Sequence, residues 1–138
     1  MINNEVMNAI ENRFSCKKYL DKPIEKEKLD TILESGRLSP TSFGMEHFDI
    51  HVCKSKDILD ACFYQESMKT APITLVITVK KASFYNPDGS FVRERGVRFP
   101  GTVEEYVEDY RGYYEYLKEK GLLDMWAKAQ GYIPLSFM

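Results

Sequence analysis

One apolar run constrains the fold of this chain more strongly than any other part of the sequence. Residues 73–79 read Ile-Thr-Leu-Val-Ile-Thr-Val, and each of them is aliphatic or β-branched. Such a run is typical of a central β-strand that is covered on both faces. A second strand is predicted over 48–53, because Phe48, Ile50 and Val52 recur at the period of a half-buried strand. Two strands alone make a marginal sheet, so helices or further strands must pack with them.

Helical spacing predicts the other elements. Apolar residues recur at this spacing over 4–12, where a helix should lie on the core, over 29–37, and along a longer stripe from Thr102 to Gly121. Residues 122–133 predict one more helix, which Pro134 should interrupt. A short helix is expected after Ser55, with Cys62 on its apolar face. Residues 81–101 contain several Gly and Pro turn signals and predict an irregular excursion.

The composition predicts one domain, residues 1–138, and argues against several classes of function. Its 43% hydrophobic and 13% aromatic residues can fill a core. Nineteen basic and twenty-one acidic side chains give a net charge of −2 without a basic block, so no nucleic-acid partner is expected. The three cysteines and two histidines lack the spacing of a disulfide framework or a zinc site, so no metal is expected. Without a signal-peptide pattern or an apolar run of about 20 residues, we expect a cytoplasmic protein with no membrane partner.

Arg13, Ser15 and Lys17 form the first candidate binding element. In an extended chain these three side chains point to one side, and Phe14 and Cys16 point to the other. A guanidinium can hold a phosphate through two parallel hydrogen bonds, a serine hydroxyl adds a neutral donor, and an ammonium adds a compact charge. The set suits a phosphorylated ligand, while the alternative is a solvated basic surface.

The second candidate element is the loop Ser39-Pro40-Thr41-Ser42-Phe43-Gly44, which should end the preceding helix. Proline disfavours a helical conformation at the residue before it, and Ser, Thr and Gly favour turns. The loop offers hydroxyl groups and an open backbone to a ligand.

With both elements placed, the chain resembles the FMN-dependent NAD(P)H nitroreductase family. The family opens with Arg-x-Ser-x-Arg/Lys, which matches residues 13–17. Its next signature, Ala/Ser-Pro-Ser-Ser followed by Asn or Gly and then Gln/Glu-Pro-Trp, is similar to residues 39–48. Residues 126–133 also resemble the start of the family's long central helix. Two motifs at the family's separation are far more specific than either motif alone.

The resemblance implies an α+β fold, a nitroreductase-like α-β-α sandwich with a central, mainly antiparallel sheet. It implies that this chain covers the N-terminal two-thirds of the family fold and lacks the C-terminal strands. His47 stands where the family usually has proline, Phe48 where it has tryptophan, and Tyr64 where many members have asparagine. These differences bear on the substrate preference more than on the fold.

The implied function is an FMN-dependent oxidoreductase that passes electrons from NADH or NADPH to a nitroaromatic, a quinone or a related small acceptor. Arg13 and Ser15 would hold the phosphate and ribityl region of FMN, and Lys17 would approach the N1/C2 edge of the ring. No catalytic side chain is needed, because the flavin carries the chemistry. The resemblance also implies that the flavin of a partner subunit is contacted by Pro40, Thr41, Ser42 and Gly44. Glu46 is a further expected cofactor-binding residue.

Two alternatives remain open at this point. The chain could be a non-catalytic remnant of the fold that dimerises or binds flavin without turnover, or a ligand-binding module unrelated to flavin. A homodimer packed through residues 122–138 is expected, because an exposed apolar surface on a soluble protein usually marks an interface. The residues expected to form this surface are Trp126, Ile133, Leu135, Phe137 and Met138.

Overall fold

The computed structural model of the protein describes residues 5–55, 57–58 and 66–138. Its helices are α1 (Glu5–Asn12), α2 (Lys26–Arg37), α3 (Glu66–Thr70), α4 (Ser90–Gly96), α5 (Val103–Glu119), α6 (Leu123–Ala129) and α7 (Tyr132–Phe137). Its strands are β1 (Phe48–Cys53) and β2 (Thr74–Val79), and short 3₁₀ turns span Ser42–Gly44 and Ala82–Tyr85. The chain divides into two compact units, Met1–Ile24 with Cys53–Thr74 and Glu25–Val52 with Leu75–Met138. The expectation of one domain over 1–138 stays a prediction.

The first unit contains α1, the segment that follows it, and α3. α1 forms where the apolar spacing predicts a helix, but it does not lie on the core as expected, since Val6 and Ile10 are 66% and 60% exposed. The following segment is tied to the end of α3, where the Tyr19 backbone N–H donates to Thr70 Oγ1 at 3.0 Å. The expected short helix with Cys62, and Tyr64 with it, fall outside the residues that the structure describes.

The second unit contains a two-stranded antiparallel sheet. The Lys80 N–H donates to the carbonyl of His47 at 3.0 Å, and His51 Nε2 lies 2.9 Å from Thr78 Oγ1. Residue numbers rise along one strand as they fall along the other, which is the antiparallel pattern. Both predicted strands are present, and the mixture of helices with a small antiparallel sheet confirms the α+β class. β2 is half-buried rather than covered on both faces, and its Thr78 is exposed.

The core of the second unit is organised by α5. The helix begins with a capping box, in which Thr102 Oγ1 accepts from the Glu105 N–H and Glu105 Oε2 accepts from the Thr102 N–H. Val107, Tyr110 and Leu117 of its predicted apolar stripe are buried, and the rest of the stripe is half-buried. Gly121, with a φ of +66°, follows the end of the helix. The buried hydrophobic residues are Met45, Tyr85, Val92, Tyr106, Val107, Tyr110, Leu117, Trp126 and Ala127.

Residues 81–101 are more regular than their turn signals indicate, because they contain a 3₁₀ turn and α4. Val92 of α4 is fully buried, and a Cβ added at Gly96 would lie 2.9 Å from Tyr106 Cδ1. The glycine therefore lets α4 approach α5 closely. This packing stabilises a helix of only seven residues, which local sequence alone does not favour.

The predicted last helix is broken at a different residue from the one expected. α6 and α7 are separated at Gln130–Gly131, and a Cβ at Gly131 would lie 3.0 Å from Val79 Cγ1. The break thus brings the backbone close to β2. Pro134 does not interrupt the helix, because it occupies the first turn of α7, where backbone N–H groups lack intrahelical acceptors.

The end of the chain is partly covered by its own unit, contrary to the expected continuous apolar surface. Trp126 is buried among aromatic rings, and Met138 packs against Gly36, where an added Cβ would lie 2.8 Å from Met138 Sδ. Leu135 and Phe137 remain 53% and 52% exposed. None of the helices in the described ranges is both long and apolar enough to span a bilayer.

Candidate functional site

The first group of expected site residues lies directly after α1. Residues 13–17 are not helical, and Arg13, Ser15 and Lys17 are all exposed. Lys17 Nζ donates to Ser15 Oγ at 2.7 Å, so these two side chains share one side of the chain as the alternation predicts. The guanidinium of Arg13 has no hydrogen-bond or ion-pair partner within the described part of the chain.

The chemistry of this group fits a phosphate ester. Two positive charges and one hydroxyl lie within five residues, and no described carboxylate pairs with either charge. Donors that are not already paired can bond an anion without first breaking an internal ion pair. The residues present therefore fit the phosphate-bearing end of a flavin mononucleotide. Beside them, a groove of about 730 Å³ is lined by residues 18–23 and 69–72.

The second group lies in the loop between α2 and β1, within the other unit. Thr41 Oγ1 accepts from the Glu46 backbone N–H at 3.0 Å, and the Thr41 carbonyl accepts from the Gly44 N–H at 3.0 Å. Phe43, Gly44 and Glu46 have φ values of +54°, +63° and +50°. The left-handed region is uncommon for residues other than glycine, so Phe43 and Glu46 hold a conformation that the surroundings must stabilise.

Side chains of α4, α5 and the residues after α4 supply that stabilisation. The Tyr106 hydroxyl donates to the Phe43 carbonyl at 2.9 Å, and the Phe43 ring packs edge-on against Tyr110 with ring centroids 5.1 Å apart. The Glu46 carboxylate accepts from Arg95 at 3.1 Å and from Arg98 at 2.5 Å. The loop is therefore fixed at both its carbonyl and its acidic side chain.

The structure brings each group of expected residues together within its own unit. Arg13, Ser15 and Lys17 belong to the first unit, and the loop residues Pro40, Thr41, Ser42, Gly44 and Glu46 belong to the second. Sequence reasoning missed Arg95, Arg98 and Tyr106, although the aromatic stripe of α5 could have drawn attention to Tyr106. The two arginines lie in the segment that was expected to be irregular.

A cavity of about 330 Å³ opens beside the loop in the second unit. The residues that line it combine aromatic rings with two cations and one carboxylate. They are Phe43, Gly44, Arg95, Arg98, Phe99, Pro100, Tyr106 and Asp109.

His47, at the position where the family usually has proline, is fully buried. Its ring centroid lies 5.1 Å from that of Trp126 and 5.2 Å from that of Tyr85, and neither ring nitrogen has a hydrogen-bond partner in the described part of the chain. Burial, assisted by the positive charge of Arg95, lowers the pKa of His47 from 6.5 to about 4. His47 is therefore a neutral core residue at pH 7, and burial likewise raises the pKa of the nearby Tyr85 hydroxyl to about 12.

Comparisons with known proteins converge on one family. The family model described as Nitroreductase family matches residues 10–63. A Staphylococcus epidermidis protein named putative NAD(P)H nitroreductase is 30% identical over 149 residues, which cover 99% of this chain and 67% of that protein. A Staphylococcus haemolyticus protein of the same name is 27% identical, over 96% of this chain and 66% of that protein. The chain thus spans about two thirds of the length of these curated relatives.

Solved structures show the same fold at lower identity. A structure titled putative nitroreductase from Bacillus subtilis has a TM-score of 0.68 and 17% identity, and covers 95% of this chain and 66% of its own. A nitroreductase-like protein from Streptococcus mutans has a TM-score of 0.65 and 18% identity, and covers 95% of this chain and 69% of its own. These likenesses establish the fold alone.

The buried imidazole should make stability depend on pH. The folded-state pKa of about 4 lies below the ordinary 6.5, so the unfolded chain binds more protons between these values. Stability is therefore lost as the pH falls through this window, by about 2–3 kcal/mol between pH 7.5 and 4.5. We expect His47→Phe to remove this part of the pH dependence and His51→Gln, on the exposed face of β1, to retain it. Urea unfolding midpoints at both pH values measure it, and an equally steep loss in His47→Phe would contradict the assignment.

Proposed function

Because this chain belongs to the nitroreductase family, we propose that it acts as an NAD(P)H-dependent FMN oxidoreductase. Electrons pass in this proposal from NADH or NADPH to a nitroaromatic, a quinone or a related small acceptor. FMN supplies the reversible two-electron chemistry when bound. The cytoplasmic location expected from the sequence is part of the same proposal.

The observation that carries this proposal is the cationic group at the family's first motif. The guanidinium of Arg13 has no partner among the residues that the structure describes, and Lys17 is held on the same side as Ser15 by their 2.7 Å hydrogen bond. We assign Arg13 and Ser15 to the phosphate and ribityl region. Lys17 places its positive charge at the N1/C2 edge of the ring, where reduction leaves negative charge.

The loop of the second unit has a different role in the proposal. Its residues Pro40, Thr41, Ser42 and Gly44 face the cofactor of a partner subunit, and the anchored backbone gives them a fixed shape. Glu46 acts through its backbone position rather than through its carboxylate, because Arg95 and Arg98 already occupy that carboxylate. The two guanidinium groups also offset the negative charge of Glu46, so it repels an anionic ligand less.

We also propose a homodimer, which is the assembly that the family resemblance implies. The exposed surface of α6 and α7 supports it, because four large apolar side chains on these two helices are more than half exposed. They are Met125, Tyr132, Leu135 and Phe137. Apolar surface of this kind usually marks an interface, and two identical faces close most simply around a twofold axis.

The two cations Arg13 and Lys17 should contribute differently to the binding of FMN. Arg13→Ala should weaken the binding of oxidised and of reduced FMN equally. The expected loss of binding free energy is about 1.5–3 kcal/mol, the contribution of a charge-assisted hydrogen bond. Lys17→Ala should weaken the binding of reduced FMN more than that of oxidised FMN. The midpoint potential of the bound flavin should therefore shift to a more negative value. Fluorescence titration and spectroelectrochemistry measure both effects, with Lys28→Ala on the exposed face of α2 as the control. Equal potential shifts in Arg13→Ala and Lys17→Ala would remove the proposed division.

The proposed homodimer interface on α6 and α7 can be tested by mass and by substitution. Light scattering on the purified chain should give twice its mass of 16.0 kDa at micromolar concentration. Leu135→Asp combined with Phe137→Asp should raise the dissociation constant at least tenfold, because two buried apolar side chains contribute about 3–6 kcal/mol. Val97→Asp is the matched control, since Val97 is 74% exposed elsewhere in the same unit. A folded monomer, or equal disruption by Val97→Asp, would refute the interface.

A further inference from the structure

The cavity beside Gly44 has walls that suit a flat aromatic ligand. Phe99 and Tyr106 lie with ring centroids 5.6 Å apart, and Phe43 and Pro100 complete the apolar lining. Phe43 and Phe99 are 38% and 36% exposed, so an occupant could still cover part of each ring. The volume of about 330 Å³ is at the lower end for ligand pockets and suits a single substituted ring.

Two guanidinium groups are fixed at this cavity. Arg95 is only 24% exposed in its side chain, its guanidinium carbon lies 5.2 Å from the centroid of the Phe91 ring, and it donates to Glu46. Arg98 donates a hydrogen bond from one terminal nitrogen, Nη1, to the same carboxylate. Each guanidinium retains a second terminal nitrogen without a partner in the described ranges. These donors are positioned in advance, which lowers the cost of ordering them around a ligand.

The charges at the cavity decide which kind of ligand gains most. Glu46 offsets one of the two arginine charges, and the Asp109 carboxylate also lines the cavity. A small inorganic anion would therefore gain little net attraction. A ligand gains more if it buries an aromatic ring and presents a planar oxygen pair to a guanidinium, since that geometry forms two parallel charge-assisted bonds.

We propose that this cavity binds a single-ring aromatic carboxylate, with the carboxylate held by Arg98 and Arg95 and the ring packed against Phe43, Phe99 and Tyr106. Gly44 of the proposed cofactor loop lines the same cavity, so the occupant lies next to that loop. That this ligand is also the reducible acceptor, such as a nitrobenzoate, rests on the proposed function. The binding site itself stands on the geometry of the second unit.

The test compares two probes on the full 138-residue chain by isothermal titration or ligand-observed NMR. 4-Nitrobenzoate should bind at least tenfold more tightly than nitrobenzene, which has the same ring and nitro group without the carboxylate. Arg98→Ala should abolish this advantage and leave nitrobenzene affinity within twofold, because Arg98 is 62% exposed and Arg95 still pairs with Glu46 in the loop when Arg98 is removed. Arg98→Lys should retain part of the advantage, since it keeps the charge but loses the planar fork.

Arg93→Ala provides the matched control. Arg93 is another partly exposed arginine of α4, it pairs with Glu104, and it does not line the cavity, so its loss should leave the tenfold preference intact. Circular dichroism verifies that each variant is folded. Equal binding of both probes, no binding of 4-nitrobenzoate to the folded chain, or loss of the preference in Arg93→Ala would overturn the assignment.

An FMN titration on the same samples separates this inference from the proposed function. FMN binding without a preference for 4-nitrobenzoate would overturn the aromatic carboxylate site alone. A retained preference in a chain that binds no FMN would overturn the proposed function and leave the binding site supported.

Discussion

The hydrogen bond from the Tyr106 hydroxyl to the Phe43 carbonyl connects the core of the second unit to its candidate site. Phe43 and Glu46 both adopt left-handed backbone conformations, each of which costs about 1–3 kcal/mol for a residue other than glycine. Tyr106 and the Glu46 contacts with Arg95 and Arg98 offset this cost. Tyr106 is itself buried on α5, which a capping box starts and which α4 approaches closely at Gly96. The shape of the loop therefore depends on how α4 and α5 pack.

The parts of the fold that the sequence predicts are those with a strong local signal. The apolar run of β2, the alternation of β1 and the stripe of α5 each place their element correctly, and the alternation of Ser15 and Lys17 is confirmed by their hydrogen bond. α4 was missed because its helix depends on a long-range contact at Gly96. The sequence predicts a helix break at Pro134, whereas the break lies at Gly131. The close approach of Gly131 to Val79, which explains that position, is a long-range contact that the spacing of residues along the chain does not show.

The candidate site was predictable only in part, for the same reason. Two short motifs identify the residues of the first unit and of the loop, and the comparisons agree with the family that those motifs indicate. The motifs do not show that Glu46 is engaged by two arginines 49 and 52 residues away along the chain. In the first unit, Arg13 and Lys17 are exposed cations that pair with no described carboxylate, whereas in the second unit the Glu46 carboxylate is paired with two arginines. We accordingly propose that Arg13 and Lys17 recognise the charge of the cofactor, and that the loop and its adjacent cavity recognise a second ligand through aromatic surface and the free nitrogens of Arg95 and Arg98.

The proposed function requires that the protein binds a flavin and that NADH or NADPH reduces this flavin. The most direct measurement is an anaerobic visible spectrum, recorded after incubation with FMN and gel filtration, and again after addition of NADH or NADPH. The account predicts that the absorbance of oxidised flavin elutes with the protein, is bleached by at least one of the two nucleotides, and returns when a nitroaromatic or quinone acceptor is added. Flavin that elutes with the protein but is not bleached would identify a non-catalytic member of the family. Protein that elutes without flavin would contradict the assignment of Arg13, Ser15 and Lys17 to a flavin phosphate.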